Sequence, residues 1–184
     1  LTARRPGSDR EQQRLRLTDE TVTVNIAGRI AHTEVEQAFF NDRPAVLEGI
    51  YRFPLPGDGS VSGLSLLVGN RWMEGEIVEK TRGRQIFAAI VDATIPRDPA
   101  LLEWVKGSEV SLRVFPLPPK GTRKVILAYD QVLERFEGRA RYLYPLSLGA
   151  DRALSIADFS IDLSASESVS ALGEPSTPGY AAAI

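Results

Sequence analysis

The sequence predicts a mainly β protein, an antiparallel β-sandwich with one short helix packed on it. Three observations carry that expectation. Apolar and polar residues alternate with a period of two over many short stretches, turn residues punctuate those stretches at regular spacing, and a single segment keeps the spacing of a helix.

Residues 1–13, LTARRPGSDREQQ, are polar with an early Pro-Gly and no apolar period, so residues 1–14 read as a polar tail or linker. Alternation starts after Leu15. Val22, Val24, Ile26 and Gly28 share one parity, and Thr21, Thr23 and Asn25 the other, as on a half-buried strand. The pattern continues with Thr33, Val35 and Gln37 on one face and His32, Glu34 and Glu36 on the opposite one. Further strands are expected at 45–53, 62–69, 72–78, 109–115, 122–133, 139–146 and 154–163. Between them, EKTRGRQIFAAIVDAT places Ile86, Phe87, Ala89, Ile90 and Ala93 on one helical face over 79–94. Gly83 weakens that helix by about 1 kcal/mol relative to alanine, and Pro96 and Pro99 close it. The main β domain is thus expected over 15–146. Residues 147–173 would add strands that continue the sandwich or start the next segment, and 174–184 read as a loop or frayed terminus.

The tetrapeptide Phe-Pro-Leu-Pro occurs twice, from Phe53 to Pro56 and from Phe115 to Pro118, each copy soon followed by glycine. Proline removes a backbone donor and fixes φ, so both copies are expected to end a strand and to bury their phenylalanine in a shared core.

Composition narrows the function classes. The 184 residues are 43% hydrophobic and 25% charged, ordinary values for a globular domain. A net charge of -2 argues against a protein that coats nucleic acid. With no cysteine and one histidine, thiol nucleophiles, disulfides and cysteine-based zinc sites are excluded. No apolar run is long enough to span a bilayer. The chain opens on leucine without a signal peptide, as expected of a segment of a longer protein.

An ordered set of blocks goes further: AFFN from Ala38, YRFPLP from Tyr51, VSGLS from Val61, GEIVEK from Gly75, ALLE from Ala100 and PPKGTRKVILAY from Pro118. The succession resembles the VIT domain, the vault protein and inter-alpha-trypsin inhibitor heavy-chain module, from about Leu17 to about Pro145. Gly83 and Phe87 depart from the Ala and Tyr usual along the family's helix. The resemblance implies a non-catalytic scaffold and interaction unit without cofactor, usually followed by a von Willebrand factor type A domain, and an extracytoplasmic setting such as a cell envelope. It implies structural roles for Phe39, Asn41, Tyr51, Phe53, Pro54, Pro56, Phe115, Pro118, Pro119, Gly121 and Tyr129.

Other signals have plainer readings. His32, Glu34 and Glu36 form a geometry in which a metal or acid–base cluster could arise, yet a solvated strand face explains them with nothing added. Glu74, Glu76 and Glu79, followed by Lys80, Arg82 and Arg84, read as a solvated surface. Asp162, Ser164 and Ser166 match the D-x-S-x-S metal motif of type A domains, but the alternation of ADFSIDL suits a half-exposed antiparallel strand and not a buried central one. The arginines at 4, 5, 10, 14 and 16 read as a solvated linker. Trp72 and Trp104 are candidate anchors for a partner, either a protein or a glycan. The expected partner is the type A domain or another protein, with no nucleic acid and no membrane insertion.

Overall fold

The computed structural model describes residues 1–6, 13–56, 59–77, 100–104, 109–137, 139–144 and 158–166. Strands are labelled β1 to β14 in chain order, and no helix occurs among the described residues. The helix expected over 79–94 lies outside them, as do residues 147–157 and 174–184.

One six-stranded sheet is built from β14 (Asp158–Ala165), β3 (Arg16–Ala27), β4 (Ile30–Phe40), β11 (Thr122–Val132), β6 (Ser60–Val68) and β7 (Arg71–Glu74), in that order. The second runs β2 (Gln13–Arg14), β1 (Thr2–Arg4), β5 (Leu47–Pro54), β10 (Glu109–Leu117), β9 (Ala100–Trp104) and β8 (Glu76–Ile77). A small hairpin, β12 (Arg135–Phe136) and β13 (Arg139–Ala140), follows β11. The threonine–valine alternation of β3 does what period two requires: Val22 and Val24 are buried, while Thr21, Thr23 and Asn25 face solvent. In β4 Thr33, Val35 and Gln37 are buried as expected, together with Ala31, Ala38 and Phe39. Gly28, at φ 60, supplies the left-handed residue of the tight turn between these strands. The core between the sheets joins Val22, Val35, Leu66 and Leu127 to Leu47, Phe53, Leu112 and Leu117.

The two Phe-Pro-Leu-Pro copies lie on neighbouring antiparallel strands, with Glu109 opposite Pro54 and Leu117 opposite Leu47. They differ in phase. In β5 the inward parity is Leu47, Tyr51 and Phe53, and the strand ends at Pro54 as expected. In β10 the inward parity is Val110, Leu112 and Val114, which leaves Phe115 on the outer side and half-buried. A register shift between Val114 and Leu117 accommodates Pro116, and Leu117 returns to the core. The second copy therefore does not bury its phenylalanine in the shared core, and the strand runs two residues past the expected end.

Two further expectations change. Residues 2–4 are not tail but strand. Ala3 is buried, Thr2 to Arg4 pair with Ile50 to Glu48, and the Arg4 Nη2 donates to Glu48 Oε1 at 3.2 Å. Three residues are too few to show a period. The strand at 158–165 runs parallel to β3, not antiparallel. It is a sheet edge, and alternation reports which face is covered, not strand direction.

Phe53→Ala should cost about 3–5 kcal/mol in urea unfolding, as for a fully buried ring. Phe115→Ala should cost markedly less. Equal losses would contradict the phase difference.

Candidate interaction site

Asn41, at the end of β4, is 1% exposed and acts as a clasp. Its Nδ2 donates to the carbonyls of Ala45 (2.9 Å), Leu117 (3.3 Å) and Pro118 (2.9 Å), and its Oδ1 accepts from the Arg43 N–H. The Asn41 N–H bonds the Gly121 carbonyl at 2.9 Å. One amide thus ties the loop after β4 to the turn Pro118–Gly121. That turn places Lys120 at φ 51 and leaves no room at Gly121, where a Cβ would meet the Pro118 ring at 2.8 Å. Pro119 is exposed on its outside. From the next strand, Arg123 fans its guanidinium over the carbonyls of Pro116 and Leu67. After the first copy, Pro56 accepts the Gly59 N–H and closes a comparable turn.

Inside, four rings form a continuous run between the sheets. Centroids are 5.6 Å apart for Phe39 and Tyr51, 6.1 Å for Tyr51 and Phe53, and 5.9 Å for Phe53 and Tyr129. Polar groups on the same inner face satisfy one another. Glu20 accepts from Gln37 Nε2 and from the Tyr144 hydroxyl, and Thr33 shares a hydrogen bond with Tyr142 at 2.8 Å. Burial pushes the phenols of Tyr51, Tyr129, Tyr142 and Tyr144 upward, with the Glu20 charge adding to it at Tyr51 and Tyr144. They remain protonated hydroxyls at neutral pH. Glu20 is not marked by the sequence; it lies on the parity of Val22 and Val24, and its partners come from β4 and the segment 141–144.

On the outer face, His32 Nδ1 lies 2.7 Å from Asp130 Oδ1, and Nε2 lies 3.6 Å from Glu34. Glu36 pairs instead with Lys124 at 2.7 Å. No three His, Cys, Asp or Glu side chains among the described residues are placed to hold a metal. The hydrogen bond that the imidazole donates to Asp130 raises the His32 pKa; partial burial opposes it, and the Asp130 and Glu34 charges add to the rise. Asp162 is exposed, while Ser164 Oγ bonds the Val24 carbonyl and Asn25, and Ser166 Oγ accepts the Gly28 N–H. These two hydroxyls belong to the pairing of β14 with β3. Glu74 is exposed; the side chain of Glu76, and all of Glu79 to Arg84, lie outside the described residues.

Trp72 and its neighbour Met73 are 44% and 48% exposed on β7, a strand whose four residues all face solvent. Met73 is not marked by the sequence, because a lone methionine in a short strand carries no periodic signal. The Trp104 side chain lies outside the described residues.

A model of the vault protein inter-alpha-trypsin domain, VIT, matches residues 17–129. The chain belongs to the VIT family. The matched span runs from β3 to the last ring of the inner run, so it contains both the Asn41 clasp and the aromatic contacts. No curated protein matches this VIT chain. Similar solved structures include two of an M1 zinc metallopeptidase variant from Deinococcus radiodurans, one with a bound Tyr-Ser-Ala substrate. They are 13% and 14% identical, with TM-scores of 0.38 and 0.37, and cover 67% and 68% of the VIT chain. The VIT chain spans 22% of the metallopeptidase chain in each.

Asn41→Ala should cost about 1–3 kcal/mol, because the Leu117 and Pro118 carbonyls lose their donor. Asn41→Asp should cost more, since it turns an acceptor towards those carbonyls; chemical denaturation measures both. For His32 the raised pKa gives a contribution complete below the unfolded value of about 6.5 and lost as pH rises through the folded value. Asp130→Asn should lower the His32 midpoint in an NMR titration, and an unmoved midpoint would contradict the pairing.

Proposed function

We propose that this VIT chain is a non-catalytic scaffold and interaction module that docks a protein partner through the β7 edge. The observation that carries the reading is the adjacent exposure of Trp72 and Met73 on a four-residue terminal strand. A large aromatic and a pliable thioether in solvent are the side chains most enriched where proteins touch. The interior polar groups supply the complementary support. Asn41, Arg123, Glu20 and Gln37 are committed to bonds within the domain, which keeps the edge on a rigid frame. The type A domain implied by the family is the first partner to test, and another protein the second. A glycan reading rests on Trp72 alone, since the Trp104 side chain is outside the described residues. An extracytoplasmic setting, suggested by the family, belongs to the same reading. No helix among the described residues is long and apolar enough to cross a membrane.

Calorimetric titration against the carboxy-terminal remainder of the parent protein should show saturable binding. Trp72→Ala should weaken it at least about tenfold, or 1.4 kcal/mol, with the melting temperature unchanged. Binding indifferent to Trp72 would refute the edge as the contact.

A further inference from the structure

Residues 141–144 follow the small hairpin and belong to no ladder, yet they alternate as a strand does. Arg141 and Leu143 are exposed, while Tyr142 and Tyr144 are half-buried against the core. Two inward phenols tie this strap to the sandwich. Tyr142 shares a hydrogen bond with the Thr33 hydroxyl at 2.8 Å and lies 3.4 Å from the Tyr129 hydroxyl. Tyr144 donates to Glu20 Oε1 at 2.9 Å. Among the described residues no backbone hydrogen bond holds the strap. The slot it fills is polar at its base: Thr33 is fully buried, and Glu20 and Gln37 are 6% and 7% exposed. Glu20 receives the Gln37 amide and the Tyr144 hydroxyl, both neutral, and no lysine or arginine among the described residues pairs with it. A carboxylate in that position regains hydration when the strap lifts, which offsets part of the loss of its phenol. A backbone without a ladder, held by two side chains, opens at a lower free energy than the sheets beneath it. Walls and strap also come from different parts of the chain. Glu20, Thr33, Gln37 and Tyr129 lie within the matched VIT span, 17–129, and Tyr142 and Tyr144 lie beyond it.

We propose that this slot recognises an extended Tyr-x-Tyr segment, and that residues 142–144 fill it as a displaceable plug. The ligand class follows from spacing and chemistry. Residues two apart on an extended chain point the same way, so two phenols at that spacing reach Thr33 and Glu20 together. An ionised carboxylate only accepts, so Glu20 needs a donor at the position Tyr144 occupies. Phenylalanine there would fill the space and leave the carboxylate one donor short. Specificity therefore lies in the hydroxyls more than in the rings. The chain itself holds the plug at high effective concentration, so a segment from a partner enters only after the plug has opened. The slot uses no residue of β7, so this reading and the β7 contact stand or fall separately.

The cysteine-free chain allows the opening to be timed. Thr33→Cys should react with a thiol reagent at least about tenfold faster than global unfolding permits. Adding Tyr144→Phe should speed that reaction further. Val114→Cys, at a position 1% exposed in the other sheet, should react only through global unfolding. Equal rates at 33 and 114, after correction for each variant's stability, overturn the plug. Recognition is read by calorimetric titration of the full chain carrying Tyr142→Ala and Tyr144→Ala with the synthetic peptide Ala-Arg-Tyr-Leu-Tyr-Pro. The peptide should bind saturably and raise the melting temperature, and its Phe-Leu-Phe version should bind at least about tenfold more weakly. The unmodified chain, with its plug in place, should bind the peptide more weakly than the double variant. Absence of binding to the double variant overturns the proposal, as does equal affinity for the two peptides or for the two chains. Should the double variant not fold, Tyr144→Phe replaces it in the titration with the same outcomes.

Discussion

The four rings between the sheets are the contact on which the remaining architecture depends. Phe39 and Tyr129 come from one sheet, Tyr51 and Phe53 from the other, and each successive pair is close enough for tilted packing. Rings of this size set the spacing of two sheets whose other inward residues are mostly Val and Leu. They also impose a polar condition. Two of the rings are tyrosines, and a buried hydroxyl left without a partner would cost about 1–3 kcal/mol. Gln37 and Thr33, on the same inner face, answer that condition for Tyr51 and Tyr129, and Glu20 in turn holds Gln37. The segment 141–144 completes it from outside the strands with Tyr142 and Tyr144.

The ends of the strands are held by a different device. Proline-rich exits cannot continue a ladder, and their carbonyls would be left buried and unbonded at the end of the sandwich. Asn41 and Arg123 supply the missing donors from the neighbouring sheet. The family blocks AFFN and PPKGTRKVILAY, far apart in sequence, meet in this clasp. That meeting gives the family's shared residues a physical reason to occur together. It also means that the most recognisable residues of the chain support its frame. Among the described residues the frame leaves to solvent a mostly polar outer face, the adjacent pair Trp72 and Met73, and the further apolar side chains Ile30, Val46, Val132, Leu143 and Ile161.

Much of this was legible from the residues. Alternation identified β3 and β4 and assigned Thr33, Val35 and Gln37 to one face and His32, Glu34 and Glu36 to the other. The family followed from the ordered blocks, and its model covers both the clasp and the rings. The second Phe-Pro-Leu-Pro misled because a tetrapeptide does not carry its own phase: the register with β5 turns Val110, Leu112 and Val114 inward and so leaves Phe115 outside, and the shift after Val114 returns Leu117 to the core. The first strand was invisible because its three residues gain order from their neighbours β2 and β5, including Glu48, and show no period of their own. At the candidate site, Trp72 stood out by its chemistry. Met73 did not, since its exposure follows from sitting on the terminal strand.

By itself, then, the sequence determined the β class, the inward and outward parity of the long strands and the family, because period two and short ordered motifs are local properties. Only the tertiary structure decided the parallel pairing of β14, the opposite phases of the two proline exits and the three-way reach of Asn41. It alone showed that β7 is the terminal strand of its sheet among the described residues. Each of those depends on which strand lies alongside, and a neighbour in space leaves no periodic trace in the chain.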